Sequence, residues 1–167
     1  RHLLPVVVST YGVLDDSAGT VAAVGGFTDK KAKDIAVPLG DLVTLPERTT
    51  PHKIERAVAK HGFSRYVIVD GEGVPTGYVH LKDVLRAAEG PDGGADVTRP
   101  IPSKRIHHMV PVTEETDLED ALALMRNAGR HLAQVRDTSG QTTAVLFLED
   151  IIEELIGEVQ DATSRRR

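Results

Sequence analysis

A chain of 167 residues that is 40% hydrophobic and 27% charged carries enough apolar material for one compact domain or two small lobes sharing a core. Its formal charge of −5 argues against nucleic acid as the main partner, because phosphate binding needs a basic surface. The absence of cysteine excludes disulfides, thiolate zinc sites and cysteine nucleophiles.

The first stretch, residues 1–34, contains LLPVVVSTYGVL (3–14), which is too short and too interrupted to cross a bilayer, a task for about 20 residues. It also lacks the features of a signal peptide. Arg1 stands where an initiator methionine would be, so the chain reads as a fragment of something longer. SAGTVAAVGGFTDKK has weak apolar spacing, and residues 1–34 are expected to form a linker arm or lead-in helix, less protected than the rest of the chain.

From residue 42 the chain repeats itself. Laid over residues 109–152, residues 42–85 match without a gap at Val43/Val110, Glu47/Glu114, Thr49/Thr116, Gly62/Gly129, Asp70/Asp137, Gly73/Gly140, Thr76/Thr143, Leu81/Leu148 and Asp83/Asp150. Each copy opens with a helix-start signal, Thr49-Thr50-Pro51 or Thr116-Asp117. Apolar stripes come next at Ile54, Ala57 and Val58, and at Leu118, Ala121, Leu122 and Met125. Gly62 and Gly129 stand where a left-handed residue ends a helix. The strands YVIVD and AQVRD, turns DGEG and DTSG, and strands GYVHL and TAVLFL lead to a last helix opening at Lys82 or Glu149. The expected fold is α+β: two repeats, each a lead strand then α-β-β-α, packed as a pseudo-twofold pair. Its boundaries are 1–34 arm, 35–90 first repeat, 91–104 Gly/Pro-rich loop, 105–160 second repeat and 161–167 tail.

This grammar resembles a tandem pair of cystathionine-β-synthase (CBS) domains, a Bateman module. GYVHLKD (77–83) and AVLFLED (144–150) occupy the family's strand-end motif of Gly, two apolar residues, Thr or Ser, two variable residues and Asp. LEDIIEELIGEVQD and the stretches around it are similar to the cytoplasmic part of CorC/HlyC-type (hemolysin-like) magnesium/cobalt efflux transporters. The resemblance implies a regulatory module on the cytoplasmic side of a membrane, binding adenine nucleotide (AMP, ADP or ATP), with Mg2+ in the transporters. It also implies a homodimer and an upstream transmembrane domain. The apolar sides of the closing helices, Val84-Leu85 and Ile151-Ile152-Leu155, are expected to be partly uncovered, as a dimer interface would need.

Candidate site residues rest on the same resemblance. Asp83 and Asp150 sit near helix starts, where a carboxylate serves equally as a cap or as an acceptor for ribose hydroxyls. The resemblance places Val37, Phe63, Arg65 and Phe147 with Asp150 in one nucleotide cleft, Arg65 on phosphate and Phe63 on the base. A second, weaker cleft would hold His80, Asp83 and Leu132, the counterpart of Arg65. The motif hydroxyl is replaced by His80 in one copy and Phe147 in the other, which leaves open an alternative: a structural dimerisation module with a degenerate site. His107-His108 lack metal-ligand spacing, and the acidic side of the last helix reads as a solvated face, so no metal site is expected. No nucleophile–base pair or phosphate loop stands out, so no enzyme is expected either.

Overall fold

The structure, a computed structural model, describes residues 28–88 and 97–165, with side chains to residue 84 in the third helix and to residue 160 in the last. In chain order the elements are α1 (Ala32–Ile35), β1 (Val37–Pro38), β2 (Thr44–Pro46), α2 (Pro51–His61), β3 (Arg65–Val69), β4 (Pro75–His80) and α3 (Leu81–Ala88). After these come β5 (Val110–Thr113), α4 (Leu118–Ala128), β6 (Leu132–Arg136), β7 (Thr142–Phe147) and α5 (Leu148–Arg165). The repeated lead strand and α-β-β-α are both present, and the closing helices open at Leu81 and Leu148, one residue before the expected starts. Among the described residues no helix is long and apolar enough to cross a membrane.

The duplication extends to backbone detail. Gly62 and Gly129 end α2 and α4 at φ 75° and 67°, left-handed values that favour glycine. In both hairpins the register shifts at equivalent places, Ile68/Val69 and Val135/Arg136. Asp70 Oδ1 accepts from the amides of Glu72 and Val74, and Asp137 Oδ1 from those of Ser139 and Gln141. Helix starts differ. Thr50 caps α2 by accepting from the Lys53 amide at 3.3 Å, with Pro51 in the first turn. Asp117 makes no capping bond and pairs with Lys31 instead.

Two compact units result. Among the described residues, one joins residues 28–39 with residues 110–165; the other lies within Gly40–Met109. In the second of these, β2-β3-β4 form a sheet in that order, parallel then antiparallel. Tyr66, Ile68 and Val79 on one face pack with Ile54, Val84 and Ile101. Ile101, in the stretch assigned to the connecting loop, is a core residue, and its amide donates to Thr49 O at 2.9 Å. Residues 89–96 of that loop lie outside the described residues. His107 then pairs with Tyr78 on β4 through two backbone bonds of 2.8 and 2.9 Å. That close approach demands Gly77: a Cβ there would lie 2.6 Å from Ile106 Cγ2 and 2.7 Å from the His107 carbonyl oxygen.

In the other unit the order is β1-β7-β6-β5, so the lead segment Val37–Pro38 completes the sheet of the later repeat. Ala133, Val135, Ala144 and Leu146 pack with Leu118, Met125, Ile151 and Leu155 of the helices, and with Ala32. The lead segment touches this unit: Ala32 is fully buried, and its amide donates to Thr116 O at 2.8 Å. Residues 1–27 lie outside the described residues. One expectation changes here: the apolar sides of the closing helices are not left uncovered, since Val84, Ile151 and Leu155 are buried by their own chain and Ile152 is half-buried. The Leu85 side chain lies outside the described residues.

Candidate functional site

Both closing helices start the same way, with a strand running straight into a helix and the first helical amide tied back to the residue just ahead of the hairpin's first strand. Leu81 N–H donates to Ser64 O at 2.8 Å, and Leu148 N–H to His131 O at 2.9 Å. The third helical residue is an aspartate in each case, Asp83 or Asp150. Their surroundings then diverge.

Asp83 is only 8% exposed. Its Oδ2 accepts from the His80 amide at 2.8 Å and lies 3.0 Å from His107 Nε2. His80 Nδ1 in turn accepts from the Lys82 amide at 3.0 Å. Histidine and aspartate thus form a reciprocal cap, in which each side chain satisfies one of the helix's unpaired amides. The His107 contact adds a tether to the segment on β4. Asp83 thus caps the start of α3. His107 serves it as a partner, and nothing local in the sequence links this histidine to a residue 24 positions earlier.

Asp150 finds no hydrogen-bond partner among the described residues. A helix start favours a carboxylate through the dipole, yet its carboxyl is pushed above the ordinary value. Partial burial is the main cause, followed by the negative charges of Glu153 and Glu149. Phe147, the residue before the helix, supplies no cap. It is half-buried and faces Leu132 across the β6–β7 ladder.

The registers sort the remaining residues onto sheet faces. Val37 pairs with Val145, two residues before Phe147, so Val37, Phe147 and Leu132 share the face turned away from α4 and α5. Leu132 is fully buried. In the other unit Arg65 and His80 are cross-strand partners, again on the face opposite the helix-packed one. Phe63, just ahead of β3, is 53% exposed and lies nearly parallel to the His61 ring at 6.1 Å, with its amide donating to the Tyr66 hydroxyl at 3.2 Å. An exposed aromatic ring of this kind can stack on a flat ligand. Among the described residues no group of three or more His, Asp or Glu side chains is placed to hold a metal.

The family described as CBS domain matches the chain twice, over residues 32–90 and 97–157. Among its relatives, the uncharacterized protein Rv1841c of Mycobacterium tuberculosis is 36% identical over 139 residues, covering 79% of this chain and 38% of that protein. The hemolysin C homolog of Rickettsia rickettsii is 28% identical over 149 residues, covering 87% of this chain and 48% of that protein. The chain therefore spans less than half the length of either. A solved CBS domain of the bacterial CNNM/CorC family Mg2+ transporter, in complex with ATP, superposes with a TM-score of 0.69 at 23% identity, covering 81% of this chain and 94% of that one.

Proposed function

Because the chain belongs to the CBS-domain family as a tandem pair of repeats, we propose that it is a regulatory module that binds an adenine nucleotide through Asp150. The observation that carries this reading is the contrast between two equivalent carboxylates. Asp83 is engaged by His80 and His107, whereas Asp150 has no hydrogen-bond partner among the described residues and is held in a place that disfavours its charge. A carboxylate kept at such a cost suits a pair of ribose hydroxyls, which donate to it without adding charge. Val37 and Phe147, on the same unit, offer apolar contacts, and the resemblance assigns Arg65 to phosphate and Phe63 to the base. The ATP complex of the similar Mg2+ transporter domain supports the ligand class. The wider role that the family resemblance implies is regulation of a membrane ion transporter from its cytoplasmic side by a module joined to an upstream transmembrane part, a reading in keeping with the likeness to the Mg2+ transporter domain. Binding would act by favouring one of two arrangements of the module that the membrane part reads.

Calorimetric titration with AMP, ADP and ATP, each with and without Mg2+, tests the reading. Binding is expected for the wild type, with Asp150→Ala abolishing most of it for every ligand including adenosine. Arg65→Ala should weaken ATP but hardly adenosine. Equal binding by wild type and Asp150→Ala would overturn the assignment.

Phe147 favours a second reading, a structural dimerisation module whose site has degenerated, since it brings no donor to the place where the motif has a hydroxyl. Restoring one hydrogen bond to a charged phosphate should contribute roughly 1.5–3 kcal/mol, so Phe147→Thr is expected to tighten ATP about tenfold to a hundredfold. Homodimerisation belongs to both readings. A mass of one 18.0 kDa chain by light scattering, held at high concentration, would count against it.

A further inference from the structure

The segment 28–36, which leads into the repeats, is held on its unit in an unusual way. Three of its attachments are ion pairs: Lys30 with Glu154 on α5, Lys31 with Asp117 at the start of α4, and Lys33 with Glu115 at 2.5 Å. All six side chains keep substantial contact with solvent. Further carboxylates surround the lysines: Glu158 and Asp34 near Lys30, Asp29 near Lys31, Glu114 and Asp34 near Lys33. The backbone adds the amides of Ala32 and Lys33 donating to Thr116 O and Glu114 O, at 2.8 and 3.0 Å, and the Leu118 amide donating to Lys30 O at 3.4 Å. The apolar anchor is small, one fully buried alanine methyl with Ile35 and Ala36 half-buried beside it. Exposed ion pairs are individually weak and screened by salt. A segment that owes part of its hold to such pairs lies toward the low end of local stability, whatever the stability of the sheet beneath.

We propose that residues 28–36 are a releasable clip, an electrostatic latch that opens and closes on this unit without unfolding it and whose state is coupled to what Asp150 binds. The coupling rests on the nucleotide reading above. Its physical basis is α5 itself: Glu154, which takes Lys30, lies one turn beyond Asp150 on the same side of the helix. With the clip closed, Lys30 offsets one of the carboxylates crowded at that end of α5, which favours a phosphate-bearing ligand there. Linkage requires the reverse as well, so such a ligand favours the closed clip. The chain enters the repeats through this clip, and its opening therefore decides whether that point of entry is tied to α5 or released from it.

Amide hydrogen exchange on the whole chain tests both halves. In the triple variant Lys30→Gln/Lys31→Gln/Lys33→Gln, the amides of residues 32, 33 and 36 should exchange about tenfold faster, with those of the β6–β7 ladder unchanged. The wild type should do the same in about 1 M salt, where the screening length falls to about 3 Å. Mg-ATP at low salt should slow the clip amides of the wild type but not of the triple variant. Unchanged clip exchange in the variant would overturn the latch, as would acceleration of the β6–β7 ladder along with it. Calorimetric binding of Mg-ATP without any change in clip exchange would overturn the coupling alone. Calorimetric silence would instead defeat the nucleotide reading, while the ligand-free comparisons still decide the latch.

Discussion

Asp150 shows how one residue can weaken the fold that carries it. Its carboxyl is raised above the ordinary value of 3.8 by desolvation first, then by Glu153 and Glu149. A raised acid binds its proton more tightly in the folded chain, so the favourable contribution is present below the unfolded value and is lost as pH rises through the folded one. At neutral pH the ionised form is therefore a net cost. We expect Asp150→Asn to melt higher than the wild type at pH 7, and the gap to close as the pH falls below about 4, where both chains carry a neutral group. Thermal melts across that range would check it, and a variant that melts lower at pH 7 would contradict the assignment. Removing Asp83 should destabilise the fold: it satisfies the His80 amide and holds His107, so its loss strips a cap and a tether together.

At the scale of elements, the two β-hairpins are the most faithfully repeated pieces of the chain, and their turns explain why. Asp70 and Asp137 each gather two amides of their own turn, while Gly73 and Gly140 take φ values of 81° and 84°. The Ser139 hydroxyl also donates to Asp137 at 2.6 Å, and this bond, with the Gln141 amide, holds the Asp137 carboxyl below its ordinary value. A depressed acid contributes stability above the unfolded value, and that contribution disappears as the pH drops through the folded one. Asp137→Ala should accordingly lower the melting temperature at neutral pH, with the deficit shrinking in acid below about pH 4. A deficit that does not change with pH would mean that the turn is held by Gly140 and the backbone, with no help from the charge.

At the scale of the molecule, the unit that holds Asp150 is assembled from both ends of the described chain. Strand β1 covers β7, which would otherwise be an exposed edge, and Ala32 fills a place in the core. A chain starting at residue 40 would lose both. Removing that burial should cost roughly 3 kcal/mol, which corresponds to a melting point lower by about 6–12 °C for a protein of this size, together with a tendency to associate through β7. Calorimetry and light scattering on residues 40–167 would test this, and a fragment as stable as the full chain would show β1 to be dispensable. The repeat, the helix ends and the turns were legible in the sequence because each is encoded within a few residues: a threonine before a proline, a glycine after a stripe, an aspartate before a turn. The aspartate at each strand end was legible for the same reason, and its recurrence at one spacing marked it as a candidate site. Which of the two is tied up was not, because the answer lies in His107, brought to Asp83 by backbone pairing with β4. The clip was equally hidden, since Lys30, Lys31 and Lys33 find their carboxylates more than 80 residues away. Local chemistry therefore set the elements and nominated the residues. Only tertiary contact decided which carboxylate was engaged and where the lead segment was held, because those partners meet through folding and leave no pattern in the chain between them.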